Sequence, residues 1–213
     1  FFHALARSKS LERMASRIGM ARPTSFARRF IAGETAEEAI DAAKAIQARG
    51  MRLTLDQLGE SVTTLAEAEA ATRVYIALVE KIEAAGIDRN ISVKPTQLGL
   101  DIDQAVCIEH IKRILDLARQ HDFFVRIDME NTPYIQKTLD MFMSVWSQGY
   151  RNAGVVLQSA VFRSEADAKA VSKMGARVRL VKGAYKEPAA LAHQAKADVD
   201  KAFVSIMKGL LTE

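Results

Sequence analysis

Five short runs of β-prone residues punctuate the chain, each closing on polar or charged residues and each followed by a stretch with helical hydrophobic spacing. They are MRLTLDQLGE from Met51, ISVKPTQLG from Ile91, FFVRIDMEN from Phe123, GVVLQSAVFR from Gly154 and VRLVKGAY from Val178. Their starts fall roughly 25 to 40 residues apart, the length of a strand with its return helix. Such alternation predicts α/β architecture with parallel strands. Arg126 with Asp128, and Arg177 with Arg179, alternate onto one face of their strands, whereas strands of an open doubly wound sheet are apolar on both faces. The expected fold is therefore an incomplete (βα)8 TIM-type barrel, five βα units long, preceded by N-terminal helices.

Residues 1 to about 48 read as those helices, with Phe2, Leu5, Met14 and Ile18 as their apolar positions, and about 51 to 213 as the partial barrel. The whole is expected to form one domain. Thr35 to Glu38 and Thr64 to Glu67 each spell a capping box, placing helix starts there. The buried stripes expected downstream are Leu65, Ala68, Ala71, Tyr75, Leu78 and Ile82, then Ile108, Ile111, Leu115 and Ala118. After these come Leu139, Phe142, Met143 and Trp146, then Ala166, Ala170 and Met174, and finally Val199, Phe203, Ile206 and Leu210. Thr132-Pro133 is expected to be an N-cap with proline at the first helical position, and Ser164 to cap the next helix.

Composition narrows the function classes. With 49% hydrophobic residues among 213, the chain can bury a full core, and its net charge of +4 comes from basic residues scattered among acids. A nucleic-acid surface would show a clustered basic stripe, so none is expected. The single cysteine, Cys107, excludes an internal disulfide and is read as a small buried residue. No stretch reaches the roughly 18 apolar residues of a membrane span. The chain starts at Phe1, which is read as a trimmed N-terminus. There is no G-x-G-x-x-G after a strand, no phosphate-binding G-x-x-x-x-G-K-[ST] and no G-x-S-x-G elbow. The histidines His3, His110, His121 and His193 lie too far apart for ligand spacing, so no metal is expected, and surface or capping roles are assigned to all four.

Chemistry in barrels of this type gathers at the C-terminal strand ends, at or near which this sequence places Asp56, Lys94, Asp128, Gln158, Arg179 and Lys182. Asp128 lies among cations that favour its charged form, which points to a carboxylate that orients partners rather than a base with a raised pKa. Lys94 suits pairing with a small anionic substrate; the alternative is a Schiff-base nucleophile, which requires a desolvated amine. Gln158 offers a donor and an acceptor to a heterocycle edge. Gly183 lets the backbone pass close to a flat or phosphorylated ligand.

LTLDQLGESV, ISVKPTQLGLDID, VRIDMENTPYI, VVLQSAVFRSEADA and RVRLVKGAYKEP, in order and at this spacing, resemble the monofunctional bacterial proline dehydrogenases, flavoenzymes with a distorted (βα)8 barrel. The resemblance implies FAD bound without a Rossmann module, and oxidation of L-proline to Δ1-pyrroline-5-carboxylate by hydride transfer to the flavin. By motif position it implies catalytic roles for Asp128 and Arg179. Lys94 would bind the substrate carboxylate, and Met129, Gln158, Arg179, Lys182, Gly183 and Ala184 would contact FAD. It implies a quinone or other electron acceptor, and a cytoplasmic enzyme with peripheral contact at the inner membrane. The family's sixth-strand Thr-His pair, its last two strands and a final helix with paired arginines have no counterpart in these residues. Two rival readings follow, an aldolase-like lysine Schiff-base enzyme and an inactive fragment of the dehydrogenase.

Overall fold

Five parallel strands pair strictly in chain order in the computed structural model, which describes residues 31–59 and 61–212. They are β1 (Leu55–Asp56), β2 (Asn90–Val93), β3 (Phe124–Ile127), β4 (Ala153–Gln158) and β5 (Arg177–Val181). Consecutive order without a reversal is the winding of a barrel wall; a doubly wound sheet would turn back at a switch point. The expectations for Phe2, Leu5, Met14, Ile18 and His3 lie outside the described residues. Those residues divide into two compact units, one running to Leu53 and including Ala85–Ile87, the other holding Thr54–Ala84 and everything from Asp88 onward.

In the first unit, Thr35 caps α1 (Ala36–Gln47): its Oγ1 accepts from Glu38 N at 3.2 Å. The Glu38 carboxylate accepts in return from Glu34 N at 2.8 Å. In the second unit, the Thr64 box opens α2 (Leu65–Ala85) in the same way, with Glu67 accepting from the backbone N–H groups of Thr63 and Thr64. α3 (Gln104–Gln120) starts on Asp103, whose side chain accepts from Ala105 N and Val106 N. α4 (Thr132–Ser147), α5 (Ser164–Lys173) and α6 (Lys196–Thr212) complete the return elements. Two cap assignments differ from expectation. Asn131, not Thr132, is the N-cap of α4 and makes no side-chain cap bond. Ser164 is already inside α5, where its hydroxyl donates to the Gln158 carbonyl at 2.6 Å.

The core lies between the sheet and these helices. Ile91, Val93, Val125, Ile127, Val155 and Leu157 alternate onto the helix-covered face and are buried. Apolar stripes of α2, α3 and α4 meet them, although several phases shift. Leu65 is exposed, Cys107 and Ile114 replace Ile108 as core residues, and Met143 faces solvent where Met141 and Val145 are buried. In α5 the buried side is Ser164, Ala168 and Val171 rather than Ala166 and Ala170. Alanine-rich segments offer little hydrophobic contrast by which to phase a helix. On α6 only Ile206 is buried, while Val199, Phe203 and Leu210 are half-buried.

His110 also departs from expectation. It is buried on α3, with Nδ1 2.9 Å from the Leu98 carbonyl oxygen and Nε2 3.2 Å from the Glu69 carboxylate. His121 is the C-cap of α3, as a capping role requires.

The opposite sheet face is polar across one register row: Asp56, Ser92, Arg126, Gly154 and Arg177 are successive partners. Gly154 makes room for its neighbours in that row. A Cβ there would stand 2.5 Å from the Arg177 carbonyl oxygen, 2.6 Å from Phe124 Cζ and 2.7 Å from Arg126 Nη1. The first is backbone of a paired strand and cannot yield. Gly154→Ala is therefore expected to destabilise the protein by about 2–3 kcal/mol through overpacking. A lowered urea midpoint with unchanged slope checks this; an unmoved midpoint refutes it.

Candidate active site

Each strand delivers one polar side chain to the same end of the helix-free face. Asp56 closes β1, Lys94 follows β2, and Asp128 follows β3, where its N–H donates to Val93 O at 2.9 Å and so extends the ladder beside Lys94. Lys94 Nζ donates to Asp56 Oδ2 at 2.6 Å and lies 3.5 Å from Asp128 Oδ2. Asp128 Oδ1 in turn lies 3.7 Å from Arg179 Nη1. Arg179 crosses the face from β5, donating to Ser92 Oγ at 3.1 Å and Thr54 Oγ1 at 3.2 Å. The result is a row of alternating charge, Asp56, Lys94, Asp128 and Arg179.

Burial governs the titration of this row. It pushes the Asp128 carboxyl above its ordinary value, with the Asp56 charge acting in the same direction, and Lys94 and Arg179 offset this only in part. The sequence-based expectation of a favoured charged form is corrected here: desolvation outweighs the cations. For Lys94 the balance is reversed. Burial pulls its ammonium down, but the hydrogen bond and charge of Asp56, joined by Asp128, leave it raised. Arg126, deeper on the same face, is lowered to about 10 by burial and by the Arg179 and Arg177 charges.

A buried polar layer supports the row. The Tyr75 hydroxyl, fully buried on α2, donates to Gln97 Oε1 at 2.9 Å and lies 3.4 Å from Asp56 Oδ1. Pro95 opens a 3-10 turn, Pro95–Leu98, directly after Lys94. That turn is pinned where Thr96 donates from N and Oγ1 to the Glu130 carboxylate at 3.0 and 2.6 Å. Gln158 Nε2 donates to the Glu130 carbonyl at 2.8 Å. Sequence reasoning missed Tyr75, Gln97, Thr96 and Glu130 as contributors. Tyr75 was legible as a core residue, but nothing in the sequence said where its hydroxyl points.

The remaining candidates collect at the β4 and β5 ends. Gln158 is buried, and Gly183 packs over it at φ +108°, a backbone conformation that side chains disfavour. A Cβ on Gly183 would meet Gln158 Oε1 at 3.0 Å. Lys182, Gly183 and Ala184 are exposed, whereas Met129 is buried beside Asp128. Lys182 lies on the helix side of its strand, where its Nζ is 2.6 Å from Asp200 Oδ1 on α6. The exposed Gly183 backbone, the Gln158 amide and the partly exposed Arg179 guanidinium form a polar set that fits the edge of a flavin. Cys107 is fully buried behind the Pro95–Leu98 turn, its Sγ 3.5 Å from the Pro95 carbonyl oxygen, with its thiol pushed up to about 12 by burial. Among the described residues no helix is long and apolar enough to cross a membrane.

Parallel βα units with a charged row at their C-terminal strand ends define an enzyme of barrel class. Residues 39–211 match proline dehydrogenase, and the chain belongs to that family. It is 33% identical over 207 residues to proline dehydrogenase 1 of Bacillus subtilis subsp. natto, covering 97% of this chain and 67% of the relative. It is 35% identical to the proline dehydrogenase of Deinococcus radiodurans, covering 83% and 58%. The crystal structure of proline utilization A from Bdellovibrio bacteriovorus, inactivated by N-propargylglycine, superposes with TM-score 0.79 at 26% identity, covering 87% of this chain and 24% of that one. The chain thus spans about two thirds of the Bacillus relative and a quarter of the much longer Bdellovibrio protein.

Proposed function

We propose that the protein carrying this chain oxidises L-proline to Δ1-pyrroline-5-carboxylate in proline catabolism, with FAD held at the β4–β5 strand ends. The observation that carries this reading is the Lys94–Asp128–Arg179 row beside the Gly183 cradle. Two cations, Lys94 and Arg179, flank one acid there, which supports reading Lys94 as the partner of the substrate carboxylate and Arg179 as the flavin-side cation. Bound FAD supplies the acceptor for the hydride from the carbon next to the proline nitrogen. Lys94 has three N–H donors; Asp56 and Asp128 engage two directions, and the third serves the substrate carboxylate. Asp128 orients both cations. Arg179 presents fixed positive charge where the acceptor gains electrons. Gln158, Met129, Lys182, Gly183 and Ala184 line the cofactor side. A quinone or another acceptor would take the electrons onward, with the enzyme in the cytoplasm and in peripheral contact with the membrane, a reading that rests on the family resemblance.

The Schiff-base alternative is disfavoured by the titration of Lys94, since a nucleophilic amine must be neutral and this one is held as ammonium. The test is anaerobic addition of proline to the purified full-length protein. A yellow flavin spectrum that bleaches with proline is expected. A colourless protein that is covalently trapped on Lys94 by borohydride with a carbonyl substrate would overturn the proposal.

A further inference from the structure

The start of α4 is capped from 55 residues away. Its N-cap residue, Asn131, provides no side-chain acceptor, and a helix start left open exposes unpaired N–H groups. The acceptor comes instead from Glu187, in the connection between β5 and α6. Its Oε1 accepts from Thr132 N at 2.9 Å, and its Oε2 from Thr132 Oγ1. The Glu187 carboxylate also lies at the positive end of the α4 dipole. Glu187 is only 9% exposed, in a connection whose residues Lys182 to Lys186 are all exposed.

The same connection is anchored on both sides of that exposed span. Before it, Ser159 N and Ala160 N donate to the Val181 and Lys182 carbonyls at 2.8 and 2.9 Å. After it, Phe162 N donates to Leu191 O and His193 N to Ala160 O. The Phe162 and His193 rings meet edge to face, centroids 4.7 Å apart. Gly183 to Lys186 therefore form a short arch whose far footing is Glu187. Thr132 ends the loop that begins at Asp128, so this footing joins the two loops carrying the proposed catalytic and cofactor residues.

We infer that Glu187 is a positioning residue: by capping α4 it fixes the Gly183–Lys186 arch in the conformation that receives the cofactor. The inference rests on the flavin reading of the site for its ligand, though not for its geometry. Without the carboxylate, the arch loses its tie to the start of α4 and keeps at Glu187 the Gln194 Nε2 contact to the backbone carbonyl at 3.3 Å, and its backbone samples conformations that do not fit the ligand.

The test compares the full-length protein with Glu187→Ala and Glu187→Gln. Two readouts are taken: the FAD dissociation constant from recovery of flavin fluorescence on dilution, and the rate of tryptic cleavage after Lys182 or Lys186, located by mass spectrometry. Loss of a pair of hydrogen bonds to a charged acceptor is expected to weaken FAD binding and to raise cleavage by about tenfold each in the alanine variant. Glutamine, which keeps one acceptor for Thr132 N, is expected to recover most of both. A residue that only stabilised the fold would lower the melting temperature without selective cleavage in this arch. Wild-type FAD affinity and cleavage rate in Glu187→Ala would overturn the inference. If the alanine variant does not fold, Thr132→Val, which removes the hydroxyl that donates to Glu187, is read in its place, and wild-type values of both readouts in that variant would do the same. A wild-type protein that binds no FAD would overturn the dehydrogenase reading instead, and the cleavage arm would then decide the clamp alone.

Discussion

Lys94→Met is expected to raise KM for proline about 30- to 150-fold while leaving FAD content unchanged, because the lost charge-assisted contact to the substrate carboxylate is worth about 2–3 kcal/mol and each 1.4 kcal/mol is tenfold. The variant also leaves Asp56 and Asp128 without the cation between them, so the Asp128 carboxyl, already raised by burial and by Asp56, loses one of its two offsetting charges. Lys94→Arg keeps the charge but not the compact tetrahedral donor, and is expected to fall between methionine and wild type. The sign of the pH dependence follows from the direction of the Lys94 shift. Its folded value lies above the ordinary lysine value, so its contribution to stability is complete below that ordinary value and is lost as pH rises through the folded one. Asp128 acts oppositely. Its raised folded value means that ionisation opposes folding above the ordinary aspartate value, and the opposition is relieved as pH falls. Denaturant midpoints of wild type and Lys94→Met should therefore converge at strongly alkaline pH. A KM within threefold of wild type in a folded, FAD-loaded Lys94→Met protein would remove Lys94 from substrate binding.

The strands and their inward polar residues were legible because alternation is a strict local rule. Arg126 and Asp128 had to share a face, as did Arg177 and Arg179, and the register row confirms it. The site inherited that legibility: Lys94 and Asp128 come together since each follows the end of its strand, and Arg179 joins them because it alternates onto the same face of β5 and reaches across it. What sequence could not supply was burial. The direction of the Asp128 shift depends on how much water the fold removes, a property of the packed molecule that no list of neighbouring charges contains. Nor could it phase α5, where alanines on every side offered Ala166 and Ala170 as readily as Ala168. The long-range polar contacts were equally hidden. Tyr75 reaches Gln97 and Asp56 from a helix stripe that reads as core, and Glu187 caps a helix that the local sequence assigns to Thr132. Local codes reveal which residues end an element; they do not reveal a partner supplied from elsewhere in the chain.

Arg179→Met is expected to lower the flavin reduction potential by about 30–60 mV, since a lost charge-assisted contact of about 1.5–3 kcal/mol converts at about 30 mV per 1.4 kcal/mol for a two-electron couple. The guanidinium is fixed by Ser92, Thr54 and the nearby Asp128 carboxylate, so its charge is already aimed and needs little reorganisation as electrons arrive. Those contacts also tie β5 to β2 and to the residue before β1, and the variant should lose some stability as well as potential. Asp128→Asn separates the two effects. It removes an anion rather than a cation from the same cluster, so it should raise the potential, whereas a shift caused by loosened packing would share the sign of the arginine variant. Arg179→Lys retains the charge without the planar fork and is expected to recover part of the potential. Spectroelectrochemical titration of the three FAD-loaded variants reads all of this directly. A potential within about 10 mV of wild type in Arg179→Met, well under the shift expected for one charged contact, would show that this cation does not stabilise the reduced cofactor.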